Sequence, residues 1–356
     1  MSITIPVGKS EFDFAVSHVA ELVAALHVYS ESGHHPERRA WAERVRDILS
    51  PELSEQIAAS DYLWRVSRPD IFLPASDGSS LSDELDAIDR LSNEDWVKSV
   101  LITFSCGTLR MRADLGSPLT DHRAGSEARE RAAARGPQAL GFVESVIADP
   151  EGARRRMREV VTGFDQEIFA QEWSTLGAAI NAEARGRRDV LGVVGPAPTL
   201  AGMSMALTLV GDAVVVDKLQ DARASGASGL TFLPTVMGDP HILVAYAPGR
   251  RPVVQYPVHR GVGSPEASLD RVQDMLAALD HPLRLRLLRS LVRGTRTTAE
   301  LAQSWDVSAP EVSRHLALLR DAGLVTSRRD GRFVRYRADA VVLQRLGSDL
   351  LSGLLR

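Results

Sequence analysis

Cysteine is all but missing: Cys106 is the only one among 356 residues. A single thiol excludes an intramolecular disulfide and any metal site built on paired cysteines. Long apolar runs are missing too. None approaches the length needed to span a bilayer, and the first nine residues lack the basic start and apolar stretch of a secretory signal. Lysine is scarce, with Lys9, Lys98 and Lys218 the only three, so arginine carries the positive charge. There is no nucleophile elbow, no His-Glu-x-x-His pair and no Walker loop. Gly192 with Gly195, and Gly226 with Gly229, read as turns and not as a phosphate-binding fingerprint. The expectation is therefore a cytoplasmic chain with no membrane contact and no cofactor, and not an enzyme.

What is present is unevenly charged. The whole chain carries a net −4, but residues 268–356 hold 15 arginines against 10 acidic residues, leaving +5 there and −9 on the rest. A basic end suits phosphates, and an acidic body does not.

Hydrophobic periodicity near 3.6 predicts helices over residues 11–30, 37–49, from 51 onward, and near 82–91, 93–104, 126–135, 137–147 and 151–185. Residues 186–198 read as a break. Beyond it the period falls towards two, and residues 213–216, 230–235, 241–247 and 252–258 read as strands between Gly/Pro turns. Residues 1–7 read as a short edge strand. The fold expected is mainly α with small β elements (α+β). A large helical domain, residues 1–262, ends in a few strands, and Gly261-Val-Gly-Ser-Pro265 is a linker to a second domain, residues 266–356.

The second domain holds the clearest pattern. Leu269, Val272, Met275, Leu276 and Leu279 form one helical stripe, and Pro282 opens another helix over residues 283–293. Two capping boxes follow, Thr297-x-x-Glu300 and Ser308-x-x-Glu311, each opening a helix. With only Asp306-Val307 between them, the two helices form a helix-turn-helix. In the second one, Val312, His315, Leu316 and Leu319 share the inward face. Ala309, Pro310, Ser313, Arg314, Ala317 and Arg320 are left outside, small residues and donors suited to a major groove. Gly323 ends the helix.

A hairpin about Asp330-Gly331 then places Val325, Val334 and Tyr336 on one face and Thr326, Arg328, Arg335 and Arg337 on the other, with Arg329 and Arg332 at the tip. A basic wing face suits a phosphate backbone. A final helix over residues 340–355 is amphipathic through Val341, Val342, Leu346, Leu350 and Leu354. The candidate DNA contacts are Thr297, Ser308, Ala309, Pro310, Ser313, Arg314 and Ala317 from the helices, with Arg328, Arg329, Arg332 and Arg335 from the wing.

Ala278-Leu-Asp-His-Pro-Leu-Arg-Leu-Arg-Leu-Leu288, Thr298-Ala-Glu-Leu-Ala302, Val312-Ser-Arg-His-Leu316 and Ala322-Gly-Leu-Val325 together resemble the ArsR-type (arsenical-repressor-like) winged helices. That resemblance covers about a quarter of the chain. It implies a homodimeric repressor that reads a pseudo-palindrome in double-stranded DNA. Residues 308–322 would lie in the major groove and the wing, 324–337, on the backbone or in the minor groove. Residues 229–257, with His34-His35-Pro-Glu-Arg-Arg-Ala-Trp41, resemble an uncharacterised domain fused upstream of such winged helices, and bring no known ligand.

The metal sites of the ArsR-type proteins lose their ligands here. Residues 300–306 contain no cysteine and the final helix no histidine. His34-His35 reads as a solvated turn at a helix start, His18 and His27 as packing or surface residues, and Cys106 as a small buried hydrophobe. No metal is expected. The N-terminal domain either binds a small-molecule effector or only dimerises or holds a protein partner; an enzyme with a DNA-binding tail is the third reading.

Overall fold

Ser17 decides where the first long helix begins. Its backbone is extended and its hydroxyl accepts the amide hydrogen of Ala20 at 3.0 Å, which places the start of helix α1 at His18. In the computed structural model, residues 2–7, 12–65, 68–78, 80–105, 116–204, 206–218, 221–224, 229–246, 250–258, 269–330 and 333–355 are described. The linker at 261–265, Cys106 and Arg332 fall outside them. The chain divides into two compact units, residues 1–260 and 261–355.

The first unit runs β1 (Ser2–Pro6), β2 (Phe12–Phe14), α1 (His18–Ser30), α2 (Arg39–Ile48), α3 (Pro51–Ser60), α4 (Leu81–Asp89), α5 (Asn93–Ser105), α6 (His122–Ala133), α7 (Pro137–Ala148), α8 (Pro150–Phe164), α9 (Ala170–Val194) and α10 (Pro196–Ala201). The strands β3 (Leu207–Val210), β4 (Ala213–Asp217), β5 (Ala222–Arg223), β6 (Leu230–Thr235), β7 (Leu243–Ala245) and β8 (Val253–Pro257) follow. The α+β architecture is as expected, and several details differ.

Residues 12–14 are a strand and not helix, because they pair in parallel with β6 from Phe12↔Leu230 to Phe14↔Phe232. The α1 helix is not amphipathic. Val19 through Val28 are all buried, polar Glu21 and His27 included, so α1 is a central helix packed on every side. At its start, the Glu84 carboxylate accepts the Ser17 hydroxyl at 2.8 Å and the His18 and Val19 amides at 3.2 and 2.8 Å. A carboxylate here satisfies the free amides of a helix start.

The expected break after residue 185 comes ten residues later. Helix α9 runs through Gly186 and Gly192 and stops at Gly195, whose φ of 80° suits glycine, with Pro196 opening α10. A short wide-turned segment, Asp165–Phe169, links α8 to α9.

The two sheets of this unit have the orders β3-β4-β1-β5 and β2-β6-β8-β7. β1 is therefore not an edge strand. It pairs antiparallel with β4 and, over two residues, parallel with β5. In the other sheet β6 and β8 are parallel and buried along their whole length, polar Thr231, Thr235 and Gln255 included.

The second unit comprises α11 (Leu269–Leu279), α12 (Pro282–Arg293), β9 (Arg296–Thr297), α13 (Thr298–Trp305), α14 (Ala309–Asp321), β10 (Val325–Asp330), β11 (Phe333–Ala338) and α15 (Ala340–Leu355). Its own core is built on Val272, Met275, Leu287, Leu291, Leu301, Val312, Leu316, Leu319 and Leu324. On α15 the stripe is narrower than expected: Val341 and Leu354 are exposed. Among the described residues no helix is long and apolar enough to cross a membrane.

Candidate nucleic-acid interface

The helix-turn-helix is set by its caps. At α13 the capping box is complete. Thr297 Oγ1 accepts the Glu300 amide hydrogen at 3.3 Å, and the Glu300 carboxylate accepts the Thr297 amide hydrogen at 2.6 Å. The bonds that the Thr297 amide and hydroxyl donate to the Glu300 carboxylate lower its pKa. At α14, Ser308 Oγ accepts the Glu311 amide hydrogen at 3.3 Å and Pro310 sits in the first turn. Between the helices Asp306 takes the left-handed conformation, φ 52°, that aspartate tolerates better than most side chains. Trp305 anchors α13 to α12: its indole N–H donates to Ser290 Oγ at 3.1 Å, and the Arg286 guanidinium lies 5.9 Å from its ring.

Helix α14 buries Val312, Leu316 and Leu319 and exposes Ala309, Pro310, Ser313, Arg314 and Arg320. Ala317, expected outside, and His315, expected inside, both depart from their faces; Ala317 is half-buried, and Leu318, assigned to neither face, stands on the outside, 51% exposed. His315 is only half-buried and packs its ring against His281 with centroids 4.5 Å apart. Burial, with the charges of His281, Arg284 and Arg314, holds the His315 imidazole below its ordinary value against the opposing pull of Glu311.

The wing pairs in a different register from the one expected. Asp330 stands opposite Phe333 and Val325 opposite Ala338, so the pairing is shifted by two residues from a turn centred on Asp330-Gly331. A two-residue shift preserves the alternation of faces. Val325 and Ala338 are buried and Tyr336 half-buried on one face, whereas Thr326, Arg328 and Arg337 are exposed on the other. Val334, assigned to the core face, is 42% exposed, because it pairs with Arg329 beyond the end of the core.

A third strand was not foreseen. β9 pairs with β11, Thr297↔Arg335 and Arg296↔Tyr336, so the start of α13 is fixed to the wing. Two residues of strand leave no readable period. Among the described residues, Arg314, Arg328, Arg329 and Arg337 make no hydrogen bond or ion pair through their guanidinium groups, leaving their charge for a partner.

Two features of the first unit escaped the sequence. His35 is not in a solvated turn; it is buried, and its Nδ1 donates to the Asp239 carbonyl at 2.5 Å. It meets His27 and His241, the three side chains offering nitrogens within 4.8 Å of one another. The His34 side chain lies outside the described residues. His18 is a hydrogen-bonding and stacking residue, its Nε2 2.8 Å from the Asp165 carboxylate and its ring flat against Trp173. The second feature is a cleft of about 420 Å³ walled by Leu73, Ala245 and Val253, with Asp77, Arg250 and Arg251 at its polar side.

The comparisons with known proteins fall on the two units separately. The model of a family of unknown function (DUF5937) matches residues 1–261, and that of a helix-turn-helix domain matches residues 279–328. Over 82 residues the chain is 43% identical to a probable mercury resistance operon repressor of Streptomyces lividans, covering 21% of this chain and 66% of that protein. Over 73 residues it is 40% identical to the HTH-type transcriptional repressor SmtB of Mycobacterium tuberculosis, covering 20% of this chain and 54% of that one. The chain thus spans two thirds or less of these relatives' lengths. A crystal structure of a possible transcriptional regulator for arsenical resistance is 41% identical over 21% of this chain and 78% of that chain, with a TM-score of 0.20. The C-terminal unit is of the ArsR/SmtB type of helix-turn-helix.

Proposed function

This chain belongs to the DUF5937 family of unknown function, and we propose that it is a DNA-binding transcriptional regulator acting as a repressor. The observation that carries this reading is the joint presentation of α14 and the wing. Ser313 and Arg314 project from the exposed face of α14, and the arginine-bearing wing is pinned through Thr297↔Arg335 to the helix that precedes it. Ala309, Pro310 and Ser308 keep the front of α14 small enough for close approach to base edges. Arg314 then reads a base, while Arg328, Arg329, Arg332 and Arg335 hold phosphates.

A second copy supplies the other half-site, so the DNA sites are pseudo-palindromes with half-sites about 10 base pairs apart or a multiple of that. Leu269, Leu276, Leu346 and Leu350, on α11 and α15, contribute to the dimer. The first unit adjusts DNA affinity by taking a small molecule in the 420 Å³ cleft, a volume within the range of ligand sites. A different role, assembly alone, is favoured by the exposed Val190, Val193 and Val194 near the end of α9, and the two are separated by whether ligand or concentration shifts affinity.

The test is a competition between selected operator DNA and random DNA. Arg314→Ala should lose about 1–3 kcal/mol of specific binding with no change in thermal midpoint, whereas Arg328→Ala should weaken both DNAs alike. An unchanged operator-to-random ratio in Arg314→Ala would remove α14 as the reading helix.

A further inference from the structure

Three imidazoles from distant stretches of the first unit converge on one point. His27 comes from the last turn of α1, His35 from the turn ahead of α2, and His241 from the loop between β6 and β7. Each pair of rings has its centroids 5.0 Å apart, at interplanar angles of 82°, 69° and 67°.

The backbone determines which nitrogens face inward. The Trp64 carbonyl lies 2.8 Å from His27 Nδ1, and the Asp239 carbonyl 2.5 Å from His35 Nδ1. A carbonyl can only accept, so both Nδ1 atoms carry hydrogen, and in the neutral rings each Nε2 keeps its lone pair. His27 Nε2 stands 3.2 Å from His241 Nε2, across 214 positions of sequence. With His27 Nε2 an acceptor, this contact is bridged either by the hydrogen on His241 Nε2 or by a cation that both nitrogens ligate. Ligand nitrogens about 2.0–2.1 Å from a tetrahedral zinc ion are about 3.3–3.4 Å apart, close to the spacing found.

We propose that His27, His35 and His241 form a binding site for a borderline divalent transition metal of the zinc class, with the three Nε2 atoms as ligands. Neutral imidazole suits zinc, and the absence of carboxylate from the set disfavours calcium and magnesium. Three ligands leave the fourth position of a tetrahedral ion to water or a small anion. The carbonyls of Trp64 and Asp239 are the outer contacts that fix tautomer and ring direction at metal-binding histidines.

The surrounding frame is tied down independently of any ion. The Glu21 carboxylate, on α1, accepts the Thr235 hydroxyl and the amide hydrogens of Val236 and Met237 at 2.9 and 2.6 Å. Thr235 Oγ1 in turn accepts the Gly238 amide hydrogen at 2.9 Å, and the Gly238 carbonyl accepts that of His241 at 2.8 Å. A chain of short bonds thus runs from the helix that carries His27 to the loop that carries His241.

The experiment uses the full chain, stripped with chelator and titrated with Co²⁺ and then Zn²⁺ in the absence of DNA, so it stands or fails apart from the regulator reading. One equivalent of Co²⁺ should give the visible bands of a four-coordinate ion, Zn²⁺ should displace it, and the thermal midpoint should rise with free Zn²⁺. His35→Asn and His241→Asn should each weaken binding by at least about tenfold, while His122→Asn, on an exposed helix, should not. His241 is only half-buried, so His241→Asn carries the test if His35→Asn does not fold. Absence of cobalt bands in the unaltered chain, or undiminished affinity in a folded His241→Asn, overturns the proposal.

Discussion

Thr297 stands opposite Arg335 in the sheet of the second unit, so the residue that caps α13 is also a rung of the wing. Its side chain and its backbone thereby join the helix-turn-helix to the hairpin. Thr297→Ala removes the acceptor for the Glu300 amide and should cost about 0.5–2 kcal/mol of stability, while Thr297→Ser should restore most of it. Urea unfolding of residues 265–356 measures this cleanly, because Trp305 is the only tryptophan there. Equal stability of all three forms would show that the capping box carries little of the fold.

Glu21 makes a second sharp case. Burial is the main cause that raises its carboxyl pKa, and the bonds from Thr235, Met237 and Val236 pull the other way, as does the Arg68 charge. Arg68 is itself buried and lowered by desolvation to about 10. Glu21→Ala strands two amides and a hydroxyl, each costing about 1–3 kcal/mol, so the first unit should lose cooperative unfolding or most of its stability. Glu21→Gln keeps an acceptor and should lose less. The pH dependence has a definite sign. A raised folded pKa means that the folded chain holds this proton more tightly, so its contribution is complete below about 4.5 and is lost as pH rises through the folded value. Glu21→Gln should therefore flatten the stability profile on the alkaline side of that point. A steeper profile in the variant would contradict burial as the dominant cause.

Much of the second unit was legible because its signals are local. Caps at Thr297 and Ser308, the apolar spacing of Val312, Leu316 and Leu319, and the alternation of the wing all lie within a few residues of what they determine. The wing register was not legible to the residue, since either turn centre keeps the same faces. In the first unit, local signals mislead. Residues 12–14 pair with a strand more than two hundred positions away, and α1 is buried all round, so its polar Glu21 and His27 break the pattern for reasons only tertiary packing supplies. The three histidines are the extreme case: His27 and His241 are neighbours across 214 positions, and no spacing rule connects them.

His315 offers a pH test within the second unit. Its folded pKa is lowered, by burial first and then by His281, Arg284 and Arg314. A depressed value means that the folded state binds fewer protons than the unfolded one near pH 6.5. The associated stability is present above that pH and lost as pH falls through the folded value. The thermal midpoint of residues 265–356 should fall between about pH 7.5 and about 5, and His315→Gln should reduce the slope. An identical slope in the variant would move the effect to His281 or elsewhere.

The charge division yields the last prediction. Residues 268–356 carry +5 and the remainder −9, and the second unit has its own core of Leu287, Leu291, Leu301, Val312, Leu316 and Leu319. Residues 265–356 should therefore fold alone, and should bind DNA in a salt-dependent manner. For non-specific DNA the fragment should match or exceed the whole chain, because the acidic body no longer repels the duplex. For operator DNA it should lose preference, because weaker dimerisation loosens the spacing of two reading helices. Salt titrations of fragment and full chain on both DNAs measure the two effects separately. Each phosphate contact contributes about −0.9 to the slope of log affinity against log salt, so parallel slopes mean that the same arginines meet the backbone in both forms. A folded fragment that binds neither DNA, beside an N-terminal unit that binds both, would place the DNA-binding surface on the wrong unit.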